Sequence, residues 1–259
     1  MSERFAYYCF NKRPASRGVM TAFTDQFSSW YFRGNDCILS SDYQSSIWAE
    51  KAIMSIKDRG IQSPKDVFYI LAWKIGGIDH KSCDKNHPIV LREGWSYDGS
   101  SMAGVHRGKN INNIGELASF VAERINTWQN EKKSINWSKE DALRIINEID
   151  TCKREKNVTQ IGSVYIITLL FFITQGEFPV YDQEAMKALL AIKGGKMPGS
   201  KVDQFNDMLD ISSPNFWNRY QDYINLLEKF FGTDYKTERK IDQALWVYGH
   251  LFKRDTGND

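Results

Sequence analysis

Residues 178–182 read Phe-Pro-Val-Tyr-Asp and stand between two helix-like segments, the very apolar 161–174 and the Ala/Leu-rich 183–192. Pro179 cannot continue a helix and forces Phe178 into an extended conformation. Asp182 therefore falls at the N-cap of the helix that follows. A carboxylate there has two uses. It can accept backbone N–H bonds as an ordinary cap, or it can present fixed negative charge to a site. Both uses stand on the residues alone.

Other chemistries have less to work with. The four histidines, His80, His87, His106 and His250, have no metal-ligand spacing, and the cysteines Cys9, Cys37, Cys83 and Cys152 form no CxxC pair. No metal and no cofactor is expected. The run Gly104–Lys109 lacks the spacing and the Ser/Thr of a phosphate-binding Walker loop. Reduced cysteines fit an intracellular setting, and no signal-peptide core follows Met1. The most apolar run, Val164 to Ile173, is shorter than the ~20 residues that cross a bilayer, so no membrane partner is expected.

The elements that must position Asp182 are helices. The 259 residues carry a net charge of +2, 42% apolar and 25% charged residues, which describes an ordinary folded chain whose nucleic-acid contacts must be local patches. Aromatic residues reach 14%, most of them core, with some open to stacking on bases or sugars. Arg4, Lys12, Arg13 and Arg17 make a polar, basic opening. Helical spacing then marks 45–58. Ser63-Pro64-Lys65-Asp66 opens a helix that ends at Gly76-Gly77. Residues 79–110 read as a long loop with one short strand near 89–91, of the kind that is functional or mobile. Helices follow over 113–129, 138–153, 161–174, 183–192, 215–231 and 237–254, the second opened by a capping box from Ser138 to Asp141. Within the last, Ala244, Trp246, Val247 and Leu251 read as its buried stripe, and Asp242 pairs with Arg239, Lys240 or Arg254. No repeat is present. The expected fold is mainly α, a globular multi-helix array with a helix-hairpin-helix-like element and a long loop. It forms a single compact unit over 1–259, with two lobes, 60–135 and 136–255, flanking a cleft.

The order of Gly-bearing turn, apolar helix, turn, "FPVYD" and Ala/Leu-rich helix resembles the helix-hairpin-helix DNA glycosylases. It is particularly similar to the small proteins of 8-oxoguanine DNA glycosylase fold. The segments 66–82, DVFYILAWKIGGIDHKS, and 239–253, RKIDQALWVYGHLFK, fit those small proteins too. The resemblance implies a DNA N-glycosylase that acts on double-stranded DNA with a flipped nucleotide. Asp182 is then the catalytic carboxylate. It stabilises positive charge on the deoxyribose and orients or deprotonates water, while the helix N-terminus keeps it ionised. Bifunctional members carry a Schiff-base lysine roughly 20 residues earlier. Here 160–166 read QIGSVYI, so water is the expected nucleophile and no Schiff-base lyase step follows. The hairpin has one glycine, Gly162, where the family usually shows two.

Under the same resemblance, free N–H groups at Gly162 and Ser163 bind a DNA phosphate, and Lys153, Arg154 and Lys156 clamp the backbone. Lys193–Lys201 is either a further phosphate contact or a loop. Trp73, Lys74, Trp95, Tyr165, Tyr181 and Trp246 are the candidates for the base pocket, with Trp95 and Tyr97 in the loop most open to DNA. The base is a damaged purine or a modified pyrimidine of foreign DNA, in repair or phage defence. The rival is a catalytically inactive DNA-binding or protein-interaction module that keeps the fold.

Overall fold

The computed structural model describes residues 17–31, 42–99, 101–132, 134–196, 198–202 and 209–254. Arg4, Lys12, Arg13, Cys9 and Cys37 lie outside these. The fold is mainly α, and the chain divides into two compact units, Leu39–Val180 and Met1–Ile38 with Tyr181–Asp259.

The Leu39–Val180 unit holds helices α2 (Asp42–Arg59), α3 (Pro64–Ile75), α4 (Ile114–Glu131), α5 (Lys139–Glu155) and α6 (Ser163–Ile173); α2, α3 and α5 pack on α6, and α4 packs on α3 and α5. Every residue of α6 from Ile166 to Ile173 is buried, because the helix meets α2, α3 and α5 on different sides. The capping box of α5 forms as expected, with Ser138 and Asp141 bonded reciprocally. The start of α3 differs from expectation. Ser63 makes no side-chain cap; the carboxylate of Asp66 takes the Gln62 N–H at 2.8 Å and both Arg59 guanidinium nitrogens at 3.0 and 2.6 Å.

The loop between α3 and α4 is tightly built. It pairs Ile78 with Leu91 and folds two small hairpins, β1 (Ser96–Tyr97) with β2 (Met102–Ala103), and β3 (Val105–His106) with β4 (Lys109–Asn110). Its centre is Trp95. A Cβ on Gly77 would lie 2.4 Å from the indole and one on Gly104 would lie 2.8 Å away, so the two glycines let backbone close on both sides of the ring. The indole N–H donates to the Val105 carbonyl at 3.1 Å. Between α5 and α6, residues 156–162 make the connection where a hairpin was expected. Its left-handed residues are Asn157 and Gln160, while Gly162 has φ −95° and needs no glycine there.

The other unit holds α1 (Arg17–Ser28), α7 (Gln183–Gly194), α8 (Phe216–Phe231) and α9 (Arg239–Gly249), with α9 packed on both α1 and α7. The polar opening of the sequence thus conceals a helix. Met20, Phe23, Thr24 and Phe27 are its buried face, and Phe23 and Phe27 meet Tyr248 at ring distances of 5.2 and 5.0 Å. Helix α9 ends at Gly249, short of the expected Arg254. The chain then pairs β6 (Lys253–Arg254) in parallel with β5 (Lys201–Val202). Among the described residues, no helix is long and apolar enough to cross a membrane.

Candidate active site

Asp182 is the N-cap of α7, in extended conformation at φ −134°. Its Oδ1 accepts the Glu184 N–H at 2.8 Å and its carbonyl accepts the Met186 N–H at 2.9 Å. The residue is half-buried. The cap accounts for its backbone position.

Within its own unit, Asp182 has a charged and aromatic neighbourhood. Tyr181 is 4% exposed and meets Tyr223 of α8 edge-on at 5.1 Å. The Tyr223 phenol is pushed well above its usual pKa, first by burial and then by the negative charge of Asp182, with Arg239 acting against both. Asp182 and Arg239 are therefore both within electrostatic reach of that hydroxyl. Arg239 pairs with Asp242, for which it was one of three expected partners. Its guanidinium lies over the Tyr31 ring at 5.5 Å. Tyr31 meets Trp246 at 5.4 Å, and Trp246 meets His250 at 4.1 Å. His250 Nδ1 is 4.0 Å from Glu184, and Glu184 pairs with the buried Lys187.

These contacts place charge where sequence reasoning did not look. Glu184, Lys187, Tyr223 and Tyr31 carry no signal in the sequence; among these links, only the i,i+3 spacing of Arg239 and Asp242 is legible there. Trp246 also departs from expectation. It is 36% exposed, and Leu251 is 37% exposed, because the buried face of α9 is Ile241, Ala244, Leu245 and Tyr248. The backbone is as constrained as the side chains. A Cβ on Gly249 would lie 2.0 Å from the Glu184 carbonyl oxygen, so α9 closes directly on the first turn of α7. A cleft of about 330 Å3 opens elsewhere in this unit, lined by Met20, Thr24, Asp25, Phe231, Glu238 and Ile241 among others. Asp182 does not line it.

The remaining candidates belong to the other unit. Trp73 is core, 8% exposed, with its N–H on Glu50 at 3.0 Å and its ring 6.0 Å from Phe172. Lys74 beside it is half-buried. Trp95 is 7% exposed, so it plugs its own loop and does not offer a stacking face. Tyr97 is half-buried and receives Lys65 over its ring at 5.1 Å. Tyr165 bonds His106 Nε2 at 3.2 Å; burial raises its pKa against the opposing charge of Arg107. Gly162 is exposed, and nothing lies within 4 Å of the Cβ it lacks. Ser163 begins α6. Lys153 and Arg154 pair with Asp150 at 3.3 and 3.1 Å, and Lys156 pairs with Glu116 at 3.5 Å. Among the described residues, no group of three or more His, Cys, Asp or Glu is placed to hold a metal ion. No protein-family model, curated protein or solved structure matches the chain.

Proposed function

We propose that the chain is a monofunctional DNA glycosylase-like hydrolase that excises a damaged or modified base, with Asp182 as its central carboxylate. The observation that carries this reading is the position of that side chain. It is half-exposed at the N-cap of α7, at the end of the Phe-Pro-Val-Tyr-Asp segment whose residues carry the resemblance. Loss of a base from deoxyribose leaves positive charge at C1′. A fixed carboxylate lowers the energy of that charge and aligns a water for attack. Asp182 is held in orientation by its bond to the Glu184 N–H, and such preorganisation is what makes a charge effective in a transition state. The half-exposed Trp246 is the stacking candidate of the same unit. The DNA backbone is met at Gly162 and Ser163, with Lys153, Arg154 and Lys156 beside them.

The test is release of base from duplexes that carry a panel of lesions and modified bases, read as abasic sites. The wild type is expected to release at least one of them. Asp182→Asn is expected to be slower by about 100-fold or more, with its cap bond retained because Asn also caps. Equal rates for the two proteins would overturn the assignment. Salt-sensitive DNA binding without release by either would select the inactive binding module.

A further inference from the structure

The basic residues around the α5–α6 connection are already neutralised in part, since Lys153 and Arg154 share Asp150 and Lys156 meets Glu116. A second source of positive charge stands next to them. The β3–β4 hairpin carries Arg107 and Lys109, both exposed and in no ion pair among the described residues. Its register pairs Val105 with Asn110 and His106 with Lys109. Arg107 at φ 52° and Gly108 at φ 75° form a two-residue turn whose twin left-handed conformations match strand twist.

The hairpin is tied to the chain around α6. Thr159 Oγ1 donates to the Asn110 carbonyl at 3.4 Å and accepts the Asn112 N–H at 3.2 Å. Asn113 Nδ2 donates to the Lys156 carbonyl at 2.6 Å. His106 meets the Tyr165 hydroxyl at 3.2 Å, with the rings edge-on at 5.7 Å. Tyr165 is in the first turn of α6, and the Arg107 charge reaches both it and His106. The cationic tip is thus fixed beside the open start of that helix, where Gly162 stands clear of other atoms.

We propose that the β3–β4 hairpin is a DNA-backbone contact of this unit, with Arg107 and Lys109 as the phosphate-binding residues. The assignment rests on the DNA reading above. The stretch from Val105 to Asn113 contains no acid. A Cβ on Gly108 would have nothing within 4 Å, so backbone as well as side chains can approach a phosphate. A two-stranded ribbon also has the dimensions a duplex groove admits.

The experiment is fluorescence anisotropy of a labelled duplex between about 50 and 200 mM NaCl. Arg107→Ala/Lys109→Ala is expected to bind about 10-fold more weakly at the low end, with a salt slope shallower by about 2. Lys51→Ala/Lys57→Ala removes the same charge from α2 and is expected to keep the wild-type slope. An unchanged slope in the hairpin variant, or an equal loss in the α2 variant, would overturn the proposal. So would hairpin-dependent binding to phosphatidylserine vesicles by a wild type that ignores the duplex. Asp182→Asn leaves the hairpin intact and is expected to bind with the wild-type slope. Hairpin-dependent binding with no base release by the wild type would sink the hydrolase reading and leave the hairpin assignment standing.

Discussion

At the scale of single residues, the acids of this chain differ by what they are bonded to. Asp182 could be singled out in the sequence because Pro179 bars helix just before it and a helix begins just after. Its influence on Tyr223 could not, since α8 comes near it only through folding, and Arg239 of α9 acts on the same phenol. Asp66 shows the same division. Its place in the first turn of α3 was legible, but its bond to Arg59 was not. Burial works against the Asp66 carboxylate, yet the Arg59 hydrogen bonds and the Gln62 and Ser63 N–H groups outweigh it, so its pKa lies below the usual range. A depressed folded pKa contributes stability that is full above the unfolded value of about 3.9 and is lost as pH falls through the folded one. Asp66→Asn is therefore expected to cost about 2 kcal/mol at pH 7. Urea unfolding at a series of pH values should show that deficit shrinking below about pH 4. A deficit that stays constant to pH 2 would rule out the charged form as its source.

At the scale of elements, periodicity and caps located most of the helices, including the capping box of α5 and the glycine stop of α3. Three features were hidden for physical reasons. Helix α1 lies in a polar stretch, and its apolar face of Met20, Phe23 and Phe27 is diluted by Arg17, Thr21, Asp25 and Gln26. The hairpins after α3 are two residues per strand, too short for alternation to register. The burial of Trp95 depends on Gly77 and Gly104, far apart in sequence. The same kind of close approach sets the entry to α7. Gly249→Ala would drive a methyl into the Glu184 carbonyl, and backbone rather than a flexible side chain must yield. The expected loss is about 2–3 kcal/mol of stability, measured by urea denaturation. A displaced first turn would also misplace Asp182, so under the proposed hydrolase function base release should fall while the duplex salt slope stays constant. A variant of wild-type stability would mean that α7 and α9 tolerate wider separation than the 2.0 Å encounter allows.

At the scale of the whole molecule, chain order and spatial grouping diverge. The unit that holds Asp182 brings α1, from near the start of the sequence, onto α9, from near its end. A sequence read along its length suggests lobes made of consecutive segments, because periodicity identifies a buried face and not the face that covers it. The candidate chemistry follows the spatial grouping. Asp182 and Trp246 lie in one unit; Gly162, the hairpin cations and Trp95 lie in the other. The close approach at Gly249 is to Glu184 of its own unit, and that at Gly77 is to Trp95 of its own. Substitutions without shared partners add. Gly77→Ala is expected to cost about 1–3 kcal/mol by displacing the Trp95 indole, and Gly77→Ala/Gly249→Ala to lose the sum of the two single effects within about 0.5 kcal/mol. Chemical denaturation of all four proteins, followed by far-UV circular dichroism, provides the cycle. A coupling above about 1 kcal/mol would show that the two glycines answer to a common packing network, and that the division into two cores does not describe how this chain holds together.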